Sequence, residues 1–164
     1  QEAVDFLASG MAANPLNWQL PFDAGFASYM LLRDYERAGV LFDIASRLPD
    51  AWQITSRWAA VAMSRAGDFE TARQMWREIY ENSENKALRA LVIRQLRNLN
   101  LAEGTAVLQA AADRFADDRG RPPADLRELV SSGYVDRLPE EPYGGRFYLE
   151  DGKVRTTTPP YQRE

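Results

Sequence analysis

Hydrophobic residues recur every three or four positions through most of the first 117 residues, which is the spacing of amphipathic helices. The pattern predicts helices at about 3–12, 17–33, 35–47, 51–65 and 69–81. The apolar register is looser beyond these, where it predicts either two helices of a third unit or one long helix through 86–117. The chain is therefore expected to be mainly helical up to residue 118.

Capping residues indicate where several of these helices begin and end. Asp34 and Asp68 each stand directly before a helix, where a carboxylate can accept a backbone N–H of the first turn. Gly67 suits the left-handed position that follows a helix. Pro21 is tolerated only in a first turn, so the helix that contains it is expected to begin near Leu20.

One motif occurs twice at a separation of 34 residues. Asp34-Tyr35-Glu36-Arg37-Ala38 corresponds to Asp68-Phe69-Glu70-Thr71-Ala72, and Phe42 corresponds to Trp76. A period of 34 residues is typical of stacked helix–turn–helix repeats. The alanine that ends each motif would let paired helices approach closely, while Phe42 and Trp76 fill the space between units.

Residues 15–83 resemble the tetratricopeptide repeat family. The matching residues are Tyr29, Asp34-Tyr35-Glu36-Arg37-Ala38, Phe42 and Pro49 in one unit, and Gly67-Asp68-Phe69-Glu70-Thr71-Ala72 and Trp76 in the next. The resemblance implies an α-α superhelix whose concave face holds another protein.

The character of the chain changes after Asp118. Arg119-Gly120-Arg121-Pro122-Pro123 ends the helical pattern, and a short helix is predicted at about 124–131. Residues 146–149 and 153–157 are predicted to form a hairpin that turns at Asp151-Gly152. We therefore expect TPR-like helical repeats over 1–118 and a small C-terminal α+β cap over 119–164, with a frayed tail from Thr158 to Glu164.

Residues 112–149 resemble the C-terminal part of type II secretion pseudopilins. The similarity rests on Phe115, Gly120-Arg121, Pro123, Leu126, Glu128-Leu129-Val130, Gly133-Tyr134, Leu138-Pro139, Pro142-Tyr143-Gly144-Gly145 and Phe147-Tyr148. The resemblance implies a short helix packed on a long helix, followed by a small sheet. Some family members bind calcium near an Asp-Pro-aromatic-Gly motif; this chain has Glu141-Pro142-Tyr143-Gly144 there, and we predict no metal and no cofactor.

Composition narrows the possible chemistry. The chain has no cysteine and no histidine, which removes disulfides, the usual zinc sites, cysteine nucleophiles and histidine-based triads. The net charge is −4 and basic residues are scattered, so nucleic-acid binding is not expected. No apolar run is long enough to span a membrane, but the chain begins at Gln1 inside a helix-like pattern and reads as a fragment or processed form, so an upstream anchor is possible.

The predicted binding surface is the concave face of the repeat array. Register with the repeated alanines selects Asp23, Ala27, Met30, Arg57, Val61 and Ser64 as its lining. This face could hold a peptide or helix of a protein partner. Alternatively, it is simply solvated, or is covered by the chain's own C-terminal part.

Other conspicuous residues have structural explanations. We predict that the aromatic residues Trp18, Phe22, Phe26 and Tyr29 are mainly core, although an exposed subset would form a partner patch. The pairs Asp34/Glu36 and Asp68/Glu70 are expected to be first-turn acids, and Asp117-Asp118 and Glu140-Glu141 solvated loop acids. Tyr134 and Tyr143 are expected to pack the C-terminal loop onto the long helix.

These observations favour a non-catalytic adaptor or accessory subunit of a bacterial cell-envelope complex, periplasmic or membrane-associated, that binds a protein partner. A cytoplasmic location stays open. A second hypothesis is a structural subunit of a type IV pilus or type II secretion-like assembly, and an enzyme that uses only carboxylates is a third.

Overall fold

The structure is a computed structural model that describes residue 10 and residues 12–159. Its described part is mainly helical and ends in a two-stranded antiparallel hairpin, as the sequence predicts. The elements are α1 (Gln19–Ala27) with a π-helical turn (Ser28–Leu32), α2 (Tyr35–Ser46), α3 (Ile54–Ala66), α4 (Phe69–Glu81), α5 (Lys86–Arg119), α6 (Leu126–Ser131), β1 (Phe147–Glu150) and β2 (Lys153–Thr156). The helix predicted at 3–12 lies largely outside the described residues.

The helix ends that sequence signals predict are confirmed. Asp34 accepts the backbone N–H of Arg37 at 3.1 Å at the start of α2, and Asp68 accepts that of Thr71 at 3.1 Å at the start of α4. Gly67 closes α3 with a φ of +85°, which a glycine adopts without steric cost. The two copies of the 34-residue motif therefore make the same capping interaction.

The capping aspartates give a first prediction. Asp34→Ala and Asp68→Ala should each lower the free energy of unfolding by about 1 kcal/mol, because each leaves an amide of the first turn without its acceptor. Asn at either position should retain most of the stability, since its side-chain oxygen still accepts. Urea titration, monitored by tryptophan fluorescence, measures the free energy of unfolding of the alanine and asparagine variants. Equal stability of the two would contradict the capping role of the aspartates.

Two local features differ from the predictions. The helix that contains Pro21 begins at Gln19, next to the predicted start near Leu20, but after Ala27 it changes to a π-helical turn, which ends at Arg33 with a φ of +54°. Helix α3 begins at Ile54 rather than 51, because Trp52 lies in a preceding turn where its carbonyl accepts the Thr55 N–H at 2.9 Å. Trp52 is therefore 63% exposed rather than part of the helix.

Packing divides the chain into two compact units, one up to Ile93 (the N-terminal unit) and one from Arg94 (the C-terminal unit). The core of the N-terminal unit is built on Ala38, Phe42, Ala59 and Ala62, and half-buried aromatic side chains pack around it. Residues 38 and 42 face inward as the helical spacing predicts. The small side chains let consecutive helices pack closely while Phe42 fills the centre.

The C-terminal unit is organised by the second part of α5. Of the two alternatives for residues 86–117, the single helix is correct, and it continues to Arg119. A core of Leu108, Ala111, Ala112, Phe115, Leu126, Leu129 and Val154 joins α5 to α6 and the hairpin. Asp151 and Gly152 both have positive φ, as a two-residue hairpin turn requires, so the predicted turn is confirmed.

Candidate functional site

The six residues selected from the sequence lie at the surface of the N-terminal unit. Asp23, Ala27 and Met30 follow one another at intervals of about one turn along α1 and the π-helical turn. Asp23 is exposed, Met30 is 56% exposed, and Ala27 is half-buried. This half of the predicted face is therefore accessible to a second molecule.

The other three residues share one face of α3. Arg57, Val61 and Ser64 are spaced by four and three residues, and all three are half-buried. The Arg57 guanidinium forms no ion pair or hydrogen bond with any of the described residues. It is thus a cation held at the surface and able to accept an anionic contact.

A surface depression of about 320 Å³ forms where Arg57 meets the beginning of α5. Its lining residues are Gln53, Arg57, Asn85, Ala87, Leu88 and Leu91. The depression joins one cation, two amide side chains and an apolar floor, which suits a short peptide with a carboxylate and an apolar side chain. Only Arg57 of the six predicted residues lines it.

A larger depression of about 440 Å³ in the same unit escaped the sequence analysis. It lies between the ends of α2 and α4, with Trp52 and Leu88 at its border. Asp43 holds Arg47 through two hydrogen bonds of 2.9 and 3.0 Å, and this pairing raises the pKa of the Arg47 guanidinium. The available sequence signal was the i, i+4 spacing of Asp43 and Arg47, which alone predicts only a surface ion pair.

The aromatic residues of α1 and its preceding turn are divided between core and surface. Phe22 packs on the buried Phe42 ring with centroids 5.4 Å apart, and Tyr29 packs on Trp58 at 5.5 Å. Phe26 is exposed, although its ring contacts Trp58. Phe26 and Trp52 are therefore the exposed aromatic side chains in the described part of the N-terminal unit.

The C-terminal tyrosines act as predicted. Tyr134 donates to the Asp118 carboxylate at 2.7 Å and packs on Phe115, and that hydrogen bond raises the pKa of the Tyr134 phenol. Tyr143 donates to Asn98 Oδ1 at 2.5 Å. Both rings tie the segment after α6 to α5.

The prediction that Glu141 is a solvated acid is wrong. Its side chain is buried, and its carboxylate accepts four hydrogen bonds. Oε1 accepts the hydroxyls of Thr156 at 2.8 Å and Thr158 at 2.5 Å, while Oε2 accepts the backbone N–H groups of Tyr143 and Gly145, both at 2.8 Å. Thr158 is thus held in place, whereas the rest of the tail predicted to fray lies mostly beyond the described residues.

The Glu141 carboxylate stays charged because its hydrogen bonds outweigh its burial. Burial favours the protonated form, but the donors from Thr158, Thr156, Gly145 and Tyr143 stabilise the anion, and the net effect lowers the pKa of Glu141. Both oxygens are occupied by protein donors. Within residues 10 and 12–159, no group of three or more acidic side chains converges in a way that could hold a metal ion.

No family model, curated protein or solved structure matches this chain. Among the described residues, every helix is too short or too polar to cross a lipid bilayer. The candidate site is therefore interpreted from its own geometry.

Proposed function

We propose that this protein is a non-catalytic adaptor that binds a segment of another protein on the face formed by Asp23, Ala27, Met30, Arg57, Val61 and Ser64. The proposal includes a TPR-like arrangement of the four helices α1 to α4 and a role in a bacterial cell-envelope complex. The observation that carries it is Arg57, a half-buried cation that lines a partly apolar depression and forms no ion pair or hydrogen bond with the described residues.

The chemistry of the face defines the kind of segment that would bind. Met30 offers an exposed, flexible apolar side chain, which adapts to different partner surfaces. Arg57 offers a planar donor group that can hold a carboxylate through two hydrogen bonds. A partner segment with an apolar side chain and an acidic group would therefore gain both contacts.

A second candidate function is a structural subunit of a pilus-like or secretion assembly. It is favoured by the C-terminal unit, where α6 and the hairpin pack on a long helix. That arrangement is the one that the pseudopilin resemblance implies. In this case the C-terminal unit, not the face around Arg57, would make the subunit contacts.

Charge reversal on the candidate face tests the adaptor function. Arg57→Glu combined with Met30→Asp should abolish capture of the protein partners recovered from native envelope fractions, because one substitution repels an acidic segment and the other removes an apolar contact. The fold should persist, since neither side chain belongs to the buried core. Quantitative mass spectrometry measures capture, and circular dichroism measures helix content.

A matched control carries the same chemical changes elsewhere on the unit. Val40→Asp with Arg77→Glu alters one exposed apolar and one exposed basic side chain on α2 and α4. The control should retain capture. If both variants retain partner capture, the face around Arg57 is excluded as the binding surface. If capture is lost only when residues 120–164 are removed, the assembly-subunit function is favoured.

A further inference from the structure

The two edges of the hairpin differ in how their backbone groups are satisfied. On β2, the Val154 N–H donates to Gln109 Oε1 at 2.9 Å, and the Gln109 amide donates to the Gly152 carbonyl at 3.1 Å. Gln109 of α5 therefore occupies two backbone groups at the turn end of the outer edge of β2. Such pairing protects an edge against a further strand.

The outward backbone groups of β1 have no such hydrogen bonds with the described residues, although α6 packs close to this strand. The Thr157 N–H donates to the Arg146 carbonyl at 3.0 Å, so this pair is hydrogen-bonded across the hairpin. Because hydrogen-bonded and non-bonded pairs alternate, the backbone N–H and C=O groups of Phe147 and Leu149 point away from β2. Within the described part of the chain, no hydrogen bond reaches these outward groups.

We propose that β1 of one chain pairs antiparallel with β1 of a second copy. The two hairpins would then form a single four-stranded sheet about a two-fold axis. The outward backbone N–H and C=O groups of Phe147 in one copy would form hydrogen bonds with those of Leu149 in the other. The two-fold axis generates the same pair a second time, between Leu149 of the first copy and Phe147 of the second. This mode of recognition adds a strand to an open sheet edge.

Charge fixes the register of this pairing. With Tyr148 on the two-fold axis, Arg146 of one copy lies opposite Glu150 of the other, and the same pair occurs twice. A shift by two residues, the smallest that keeps outward backbone groups facing each other, would place Glu150 opposite Tyr148 and lose both attractions. Arg146 is exposed and its guanidinium has no ion-pair or hydrogen-bond acceptor among the described residues, so it is available for this contact.

The exposed face of the hairpin also suits a symmetric contact. Arg146, Tyr148 and Glu150 are all exposed, in contrast to the half-buried Phe147 and Leu149. Tyr148 would lie opposite its own counterpart in a non-hydrogen-bonded pair, where side chains approach most closely. Two aromatic rings in that position stabilise a strand pair.

Sedimentation equilibrium of the intact chain tests the proposal. The interface is small, so we expect a reversible dimer with a dissociation constant on the order of 100 µM. Arg146→Glu should weaken dimerisation about tenfold or more, because it puts like charges opposite each other at both symmetric positions. The exchanged pair, Arg146→Glu with Glu150→Arg, should recover most of the lost affinity.

The exchange also breaks the exposed contact between Glu150 and Arg155, which are 3.6 Å apart, and places a basic side chain opposite Lys153 within the hairpin. Recovery is therefore judged against Glu150→Arg alone, which makes the same changes within the hairpin and should dimerise more weakly than the exchanged pair. Arg97→Glu makes the same charge change on α5 and should leave dimerisation unaltered. A wild-type chain that stays monomeric to about ten times the expected dissociation constant would overturn the proposal. So would a dimer that Arg146→Glu leaves intact.

Discussion

Replacing Glu141 with alanine should reduce the stability of the C-terminal unit by about 3 kcal/mol, the largest effect expected of any single change in it. The substitution removes the acceptor of four donors at once: two threonine hydroxyls and two backbone N–H groups. These donors belong to the loop after Pro142 and to the chain at and beyond the end of β2. Their common acceptor therefore joins the loop at 143–145 to Thr156 and Thr158, which lie 15 and 17 residues beyond Glu141 in the sequence.

Glutamine at position 141 should be nearly as damaging as alanine. It keeps one acceptor oxygen, but its NH₂ group must face a pair of donors where a carboxylate oxygen stood. Glu140→Gln is the matched control, because this neighbouring side chain is exposed and makes no hydrogen bond that the substitution would remove. A Glu141 variant as stable as the Glu140 control would contradict the role assigned to this carboxylate.

The measurement must report on the C-terminal unit alone. All four tryptophans precede residue 94, so their fluorescence follows the N-terminal unit. Hydrogen exchange read by mass spectrometry can instead follow peptides that cover 143–147 and 153–158. Loss of Glu141 should accelerate exchange there and leave the peptides of α2 and α3 unchanged.

The same carboxylate should make the stability of the C-terminal unit depend on pH. The folded pKa of Glu141 lies below its ordinary value of 4.5, so the folded state favours the charged form. Its contribution is therefore complete above about pH 4.5 and is lost as the pH falls through the folded pKa. Glu128 acts in the same direction, because its hydrogen bonds with Arg121 and the Ala124 N–H lower its pKa to about 2.

Local sequence signals predicted the helix ends because the interactions that make them are local. Asp34 and Asp68 cap helices through amides three residues away, and Gly67 ends α3 through its own backbone conformation. The hairpin turn at Asp151-Gly152 is equally local. In each case the residues that determine the structure lie within a few positions of one another, so the structure can be predicted from that short stretch of sequence.

The burial of Glu141 could not be predicted in this way. The four donors to its carboxylate are brought together by the fold of the cap, and in the sequence Glu141 is one of two adjacent acids beside a proline. The exposure of Trp52 has the same origin, because it depends on where α3 begins relative to the preceding turn. The six residues of the candidate face are exposed or half-buried, and the depression beside Arg57 depends in addition on the beginning of α5.

Gly25→Ala is the change with the largest expected effect on the N-terminal unit. A Cβ atom at this position would lie 2.9 Å from Cδ1 and 3.0 Å from Cε1 of Phe42, and 3.3 Å from the Ala38 carbonyl oxygen. Phe42 is fully buried and enclosed by Phe22 and Trp58, so its ring cannot move away cheaply. Overpacking should outweigh the roughly 1 kcal/mol gained in helix propensity and lower the free energy of unfolding by about 2 kcal/mol.

Gly39→Ala provides the comparison that isolates this cause. Its Cβ would approach Met63 even more closely, at 2.8 Å from Cε and 2.9 Å from Sδ, but those atoms end a flexible side chain that can rotate. We therefore expect Gly39→Ala to change stability by less than about 1 kcal/mol. Urea unfolding followed by tryptophan fluorescence suits both variants, because the tryptophans lie in this unit.

A second substitution at position 42 separates overpacking from a general intolerance of change at Gly25. Phe42→Leu removes the ring atoms that the new Cβ would meet, so it should offset part of the cost of Gly25→Ala even though it destabilises the protein by itself. The two substitutions should therefore be less damaging together than the sum of their separate effects. Strict additivity would mean that Gly25 is required for some reason other than the approach of the Phe42 ring, and the close packing of α1 on α2 would then need a different explanation.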